Sequence, residues 1–200
     1  MKHFTYKSLP ELQLDAERIG ARHVRFERDP EKVRSILARP VDVGGFRVGN
    51  SIAIHPMEGC DGELDGTPGE LTWRRYERYG RGGAKLIWFE ATAVREDGRA
   101  NTRQLWIYPR TVPALARMLD RTRQLHRQIY GSADDLLDVL QLTHSGRHSV
   151  LRKTVVCHNP YVDAKTGVGP DHPLISDDEL ERLEDHYLVA ARLAHQAGFV

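Results

Sequence analysis

The chain has 200 residues, of which 40 % are hydrophobic and 28 % are charged, and this composition excludes a disordered tail and a membrane protein. Its 29 Lys and Arg residues against 28 Asp and Glu residues give a net charge of +1, which argues against nucleic-acid binding because it provides no long-range attraction to phosphates. The length is that of one ordinary domain with a sizeable core.

The cysteine content and the apolar runs predict the cellular setting. Cys60 and Cys157 are the two cysteines, too few for a disulfide scaffold and compatible with a reducing cytoplasm. The first twenty residues lack the apolar run of a signal peptide, and no stretch reaches the roughly 20 apolar residues that a membrane span needs. We therefore expect a soluble cytoplasmic protein with no membrane partner.

The first forty residues are polar and mixed in charge, and we interpret residues 1–40 as an N-terminal arm that packs on something else. Asp29 as a cap and Pro30 in the first turn predict a short helix through Glu31–Ala38. Two short apolar runs then flank Gly44-Gly45, which predicts a hairpin turn.

Strands and helices alternate after the hairpin. Ser51–His55 is predicted as a buried strand, Gly69–Arg81 as a helix ended by Gly82-Gly83, and Lys85–Val94 as a nearly continuous apolar strand. The glycine-rich run Gly80–Gly83 follows a helix, so it is a helix stop and no phosphate-binding loop.

The second half continues the alternation. The patterns predict a helix over Thr111–Tyr130, a strand over Leu136–Leu142 and an irregular stretch over Thr143–Ile175. A capping box at Ser176–Glu179 begins the last helix, which stops at Gly198.

This order predicts strand–helix–strand units around a parallel sheet, because parallel strands need a crossover connection. We count three complete units and the first residues of a fourth strand at Phe199–Val200. A closed eight-stranded barrel takes about 250 residues. We therefore expect a small open sheet or the front part of a longer barrel, and the start of an apolar run at the chain end favours the second.

Three clusters follow successive strands, at the edge where α/β proteins carry their sites. They are His55–Cys60, Glu90–Ala93 and Gln141–Arg147. Each cluster also has a purely structural interpretation. Pro56 can simply end a strand, and the small Ala91 can reflect tight packing. The Gln141 amide can bind backbone groups, since burying an amide without hydrogen-bond partners costs roughly 1–3 kcal/mol. Together they favour a platform for a flat polar ring.

The residues also carry a resemblance to a known family. The matching segments are NSIAIHPM (50–57), DGTPGEL (65–71), RGGAKLIWFEATAVREDGR (81–99), QLTHSGRHS (141–149) and ISDDELERLEDHYLVAARLAHQAGF (175–199). They resemble the N-terminal part of the Old Yellow Enzyme family, the NADH:flavin oxidoreductases. The resemblance implies an FMN-binding TIM (β/α)8 barrel, with three to four βα units over residues 41–200. It also implies hydride transfer from NADH or NADPH through the flavin to an acceptor, often an activated alkene.

The resemblance assigns the flavin contacts by position. It implies that the backbone at Pro56 and Met57, with Glu58, lies near the reactive nitrogen of the ring, that Ala91 passes its polar edge, and that Gln141 reaches its pyrimidine end. An amide both donates and accepts hydrogen bonds, so Gln141 suits both redox states of the ring.

The chain departs from the family pattern at two places. Many members carry Thr or Cys where this chain has Glu58, and an ionised carboxylate there disfavours the anionic reduced flavin, so Glu58 points away or the potential is unusual. Cys60 is not a clean substitute. The family's substrate-binding His/His or His/Asn pair and its phosphate site follow the fourth strand, so the catalytic pair is expected beyond residue 200. We therefore expect this chain alone to bind FMN poorly and to expose apolar edges.

The histidines leave an alternative open. His144, His148, His158 and His172 suggest a metal-dependent barrel hydrolase, although no metal-binding motif is present and we predict no metal. The preferred interpretation puts His144 and Arg147 at the mouth of the substrate site, with Arg147 equally suited to pairing with an acid.

Further expectations concern partners and turns. A third hypothesis is a non-catalytic, truncated chain with a structural or binding role. The preferred partner is a small-molecule substrate, with a homo-oligomer left open. Asp61-Gly62 and Asp65-Gly66 are read as turns because they lack the later acidic ligand of a calcium loop.

Overall fold

The computed structural model describes residues 6–21 and 23–200, so residues 1–5 and 22 of the predicted arm lie outside the described part. The chain divides into two compact units, Met1–Arg39 and Pro40–Val200.

The first unit contains two short helices with no buried residues. Helix α1 (Leu9–Arg18) was not predicted, and its N-cap Ser8 accepts a hydrogen bond from the backbone of Glu11. Helix α2 (Pro30–Leu37) confirms the prediction, because the Asp29 carboxylate caps its first turn as expected.

The second unit opens with the predicted hairpin. Strands β1 (Val41–Val43) and β2 (Phe46–Val48) pair antiparallel. The turn between them places Gly44 and Gly45 at φ of 55° and 87°. A two-residue turn with both φ values positive matches the twist of the strands, and glycine adopts it without a Cβ penalty.

A parallel sheet of three strands in the order β3-β4-β5 follows. The strands are β3 (Ala53–Ile54), β4 (Leu86–Ala93) and β5 (Leu137–Thr143). The predicted burial of the first strand is wrong: β3 is short, Ala53 is exposed, and Ile52 is 41 % exposed. The reason is that β3 is an edge strand of this sheet in the described residues.

Strand β4 contains a bulge opposite the end of β5. Phe89 pairs with Leu140 and Thr92 pairs with Leu142, so two residues of β4 lie opposite the single Gln141. The extra residue changes the local direction of the strand.

Four helices belong to the second unit: α3 (Glu70–Arg81), α4 (Val112–Tyr130), α5 (Pro160–Thr166) and α6 (Asp177–Gln196). The first two and the last confirm the predicted helices, with Ser176 capping α6. Helix α5 lies within the stretch predicted as irregular, and Asn159 caps it. Gly82 ends α3, which confirms that Gly80–Gly83 is a helix stop.

The core fills the space between the sheet and α3, α4 and α6. Phe89 is its centre: it stacks on Tyr76 with ring centroids 4.2 Å apart and meets Phe199 edge-on at 4.9 Å. The backbone N–H of Val200 donates to the Asp138 carbonyl of β5 at 3.2 Å.

The described residues do not form a closed barrel. Over the same residues, every helix is too short or too polar to cross a membrane.

Candidate functional site

The loop after β3 and the ends of β4 and β5 meet at one edge of the sheet. Gln141 lies opposite the bulge that contains Ala91, and the N–H of Gly59 donates to the buried Glu90 side chain at 2.9 Å. This bond ties the loop that carries Met57 to the end of β4. Met57 is 72 % exposed, whereas Ala91 and Gln141 are half-buried. We call Met57, Ala91 and Gln141 the strand-end shelf.

The side chain of Gln141 is the available polar group on this shelf. Its amide makes no hydrogen bond with any described residue, although it is half-buried. By contrast, the carbonyl of Ala91 already accepts a bond from Gln104 Nε2 at 3.1 Å. An unpaired, half-buried amide retains hydrogen-bonding capacity for a ligand.

Glu58 lies within a small polar cluster beside the shelf. Asn101 Nδ2 donates to its carboxylate, and the Cys60 thiol donates to the same oxygen at 3.5 Å. Burial raises the pKa of Glu58, and the negative charge of Glu90 adds to the effect. The hydrogen bonds from Cys60 and Asn101 act in the opposite direction but do not outweigh this effect. Cys60, set aside in the sequence analysis, thus contacts the Glu58 side chain.

The sequence analysis did not predict a buried network of ion pairs that contacts the loop after β3. Arg75 of α3 binds Asp61 through Nη1 at 2.6 Å and Glu90 through Nη2 at 2.6 Å. Thr72 donates to the same Asp61 at 2.6 Å. The hydrogen bond from Arg75 holds the pKa of Asp61 below its usual value despite burial. The Asp61 carboxylate, which the sequence analysis placed in a turn, thus also joins the loop to α3.

The structure places Arg147 in an ion pair. Its Nη1 binds Asp163 of α5 and its Nη2 donates to the Cys157 carbonyl at 2.5 Å. Burial raises the pKa of Asp163, but bonds from Asn159 and His158 and the charge of Arg147 outweigh it, so the pKa lies below the usual value. Of the two roles considered for Arg147, this geometry favours pairing with an acid.

The histidines bind backbone groups and one carboxylate. His144 Nδ1 accepts from the Gly146 N–H at 3.1 Å, and burial lowers its pKa. His158 contacts Asp163 at 3.0 Å and the His172 carbonyl at 3.1 Å, and the His172 ring contacts the carbonyl of Lys153 at 3.0 Å. Within residues 6–21 and 23–200, no group of three or more His, Cys, Asp and Glu side chains could hold a metal.

Two clefts lie near the strand-end loops. His144 borders a cleft of about 190 Å³ together with Arg95 and Arg152. A second cleft, of about 500 Å³, lies between α6 and the segment that includes Trp106 and Tyr108. The residues that line these two clefts do not include a shelf residue.

No protein-family model and no curated protein matches the chain. Solved structures do match. An Old Yellow Enzyme homologue from Zymomonas mobilis shares 24 % identity and a TM-score of 0.62, over 82 % of this chain and 46 % of that chain. The Old Yellow Enzyme from Trypanosoma cruzi shares 22 % identity and a TM-score of 0.62, over 82 % and 49 %. The Old Yellow Enzyme from Pichia sp. AKU4542 shares 17 % identity and a TM-score of 0.64, over 82 % and 44 %.

At these identities the likeness establishes the fold, and the chain spans less than half the length of these proteins. The described chain therefore has an α/β fold that matches part of an Old Yellow Enzyme barrel, and it resembles the N-terminal region of that family.

Proposed function

We propose that this chain supplies the flavin-ring surface of an FMN-dependent oxidoreductase on a TIM barrel. The enzyme would transfer a hydride from NADH or NADPH through the flavin to a small-molecule acceptor such as an activated alkene. The observation that carries the proposal is the Gln141 amide, which has no hydrogen-bond partner among residues 6–21 and 23–200 and lies beside the small Ala91 at the end of adjacent parallel strands. The fold likeness to Old Yellow Enzymes supports it.

The shelf residues fit a flat ring with a polar edge. Ala91 leaves room for close approach, since its side chain is a single methyl group. Gln141 would donate to and accept from the pyrimidine end of the ring. Pro56, Met57 and Glu58 would border the ring beside its reactive nitrogen. When bound, FMN would supply the hydride-accepting and hydride-donating chemistry, while these side chains orient the ring and tune its potential.

The charge of Glu58 would bear on this role. An ionised carboxylate beside the ring would oppose negative charge on the reduced flavin. Burial and the charge of Glu90 raise the pKa of Glu58, whereas the hydrogen bonds from Asn101 and Cys60 act to lower it, and the net direction is upward. The net rise in its pKa would lessen this repulsion by lowering the ionised fraction of Glu58.

The chain spans under half of the Old Yellow Enzyme structures that it matches, so other residues must complete such a site. We propose that the flavin phosphate and the acceptor are bound by the second half of the barrel. We further propose a cytoplasmic location, compatible with the free thiols of Cys60 and Cys157, and leave a homo-oligomer open.

The test uses lumiflavin, which is the flavin ring without its phosphate chain. We expect titration of the 200-residue chain to shift the amide NMR signals of Met57 and Ala91 and the side-chain amide of Gln141. Gln141→Leu should weaken binding by about 2- to 10-fold, the value of one hydrogen bond. Gln128→Leu, on the exposed face of α4, is the matched control and should leave binding unchanged. Shifts confined to other surfaces, or equal binding by both variants, would refute the proposal.

A further inference from the structure

We propose that Glu90 and Arg75 are positioning residues that hold the loop of residues 55–61, which carries Met57, against the ends of β4 and β5. The inference rests on the proposed function, because the loop that these residues hold carries side chains that we propose to contact the flavin ring.

Glu90 connects three parts of the chain from a fully buried position. The bulge in β4 coincides with its position, and its side chain is 2 % exposed. One carboxylate oxygen accepts from the Gly59 N–H at 2.9 Å and the other from Arg75 Nη2 at 2.6 Å. Its own backbone N–H donates to the hydroxyl of Tyr76 at 2.6 Å. A buried charge is retained at low cost only when such partners satisfy it.

Arg75 extends the connection to the far end of the loop. Its Nη1 and Nη2 contact the two oxygens of Asp61 at 2.6 and 2.9 Å, in the bidentate arrangement that fixes a carboxylate in orientation. Thr72, one turn earlier on α3, donates to Asp61 as well. The loop is therefore held at Gly59 through Glu90 and at Asp61 through Arg75 and Thr72.

The packing at Gly59 shows how closely the loop is held. A Cβ at this position would lie 2.1 Å from Arg75 Nη2 and 2.5 Å from the central carbon of the guanidinium group. Arginine ends usually move aside, but this one is held by Asp61 and Glu90. A side chain at residue 59 must therefore displace the loop or break an ion pair.

The network acts on this loop specifically. Outside α3 and β4, its hydrogen-bonded groups belong to Gly59 and Asp61. The loop between β3 and Gly59 contains Pro56, Met57 and Glu58, which the proposed function places beside the ring. Residues that touch no ligand thus determine where the ring-contacting residues lie.

The experiment follows the Gly59 amide by NMR hydrogen exchange in the 200-residue chain. In Glu90→Gln the guanidinium of Arg75 competes for the single amide oxygen, so the Gly59 N–H loses its acceptor. We expect its exchange to become about 10- to 100-fold faster, as for loss of a bond to a charged group. We also expect lumiflavin to bind more weakly, while the exchange of core amides in β5 stays as in the wild type.

The matched control is Glu77→Gln, which removes another α3 carboxylate paired with an arginine, Arg121, at 2.8 Å. It should leave Gly59 exchange and lumiflavin binding unchanged. If Glu90→Gln fails to fold, Gly59→Ala replaces it, because this variant keeps every charge and should still weaken lumiflavin binding.

The outcomes separate the two proposals. Unchanged Gly59 exchange in Glu90→Gln, or unchanged lumiflavin binding in Gly59→Ala, overturns the positioning role. Absence of lumiflavin binding by the wild type overturns the proposed function, and with it the ligand half of this inference, whereas the exchange data still decide whether Glu90 holds the loop.

Discussion

Asp138 gives the sharpest prediction of stability. Its carboxylate is fully buried in β5, with Oδ2 bound to Arg123 Nε at 2.7 Å and Oδ1 without a partner in the described part of the chain. Burial raises the pKa from 3.8 to about 6, even though Arg123 acts to lower it. The substitution Asp138→Asn keeps the shape of the side chain and removes the charge.

The direction of the effect follows from proton linkage. The folded pKa lies above the unfolded one, so between pH 3.8 and about 6 the folded state holds a proton that the unfolded state releases. The contribution of Asp138 to stability is therefore fully present below the lower value and is lost as the pH rises through the upper one. A shift of about two pKa units corresponds to about 3 kcal/mol, since one unit is worth about 1.4 kcal/mol.

The assay is urea unfolding of the wild type and Asp138→Asn across pH 4 to about 8. Groups other than Asp138 titrate alike in both proteins, so the difference in unfolding free energy isolates this carboxyl group. We expect near-equal stability at pH 4 and a more stable variant above the folded pKa of about 6, by at most about 3 kcal/mol. A difference that is flat with pH, or that favours the wild type at higher pH, would refute the reasoning.

Three further predictions concern packing and the ligand surface. Phe89→Ala removes the ring at the centre of the core and should lower the unfolding free energy by about 3–5 kcal/mol in urea; a loss below 1 kcal/mol would contradict that role. Gly80→Ala should cost about 1–3 kcal/mol, because its Cβ would lie 2.5 Å from the Thr122 carbonyl of α4. Gly82→Ala, with contacts of 3.4 Å only, is its control and should be nearly neutral in the same assay. Finally, FMN and lumiflavin should bind this chain with equal affinity by NMR titration; clearly tighter FMN binding would show a phosphate site within these residues.

Helix ends and turns were predictable because their signals are local. Asp29 and Ser176 cap the helices that follow them, and Gly44-Gly45 forms the predicted turn. The cap of α5 is equally local: Asn159 precedes Pro160 and accepts bonds from the next two N–H groups. That helix was missed because its seven residues carry too little apolar periodicity to be separated from a loop.

The ion network was missed because its members are distant in sequence. Glu90 lies 15 residues from Arg75 and 31 from Gly59, and nothing in a linear pattern pairs them. One signal was present: Glu90 is a charged residue inside an apolar strand, and a buried charge requires a partner. The partner itself could be found only from the packing of α3 on β4.

Two glutamine side chains, Gln104 and Gln141, lie beside Ala91, and the fold uses their amides differently. Gln104 is buried, and it uses both ends of its amide: Oε1 accepts from the Ala100 N–H at 2.6 Å, and Nε2 donates to the Ala91 carbonyl. Gln104 is thereby accounted for by the fold. Gln141, beside the same Ala91, has neither bond in the described residues. The Gln141 amide is not among the fully buried side-chain atoms that lack a partner, so solvent reaches it, and it keeps donor and acceptor capacity that the fold has not used.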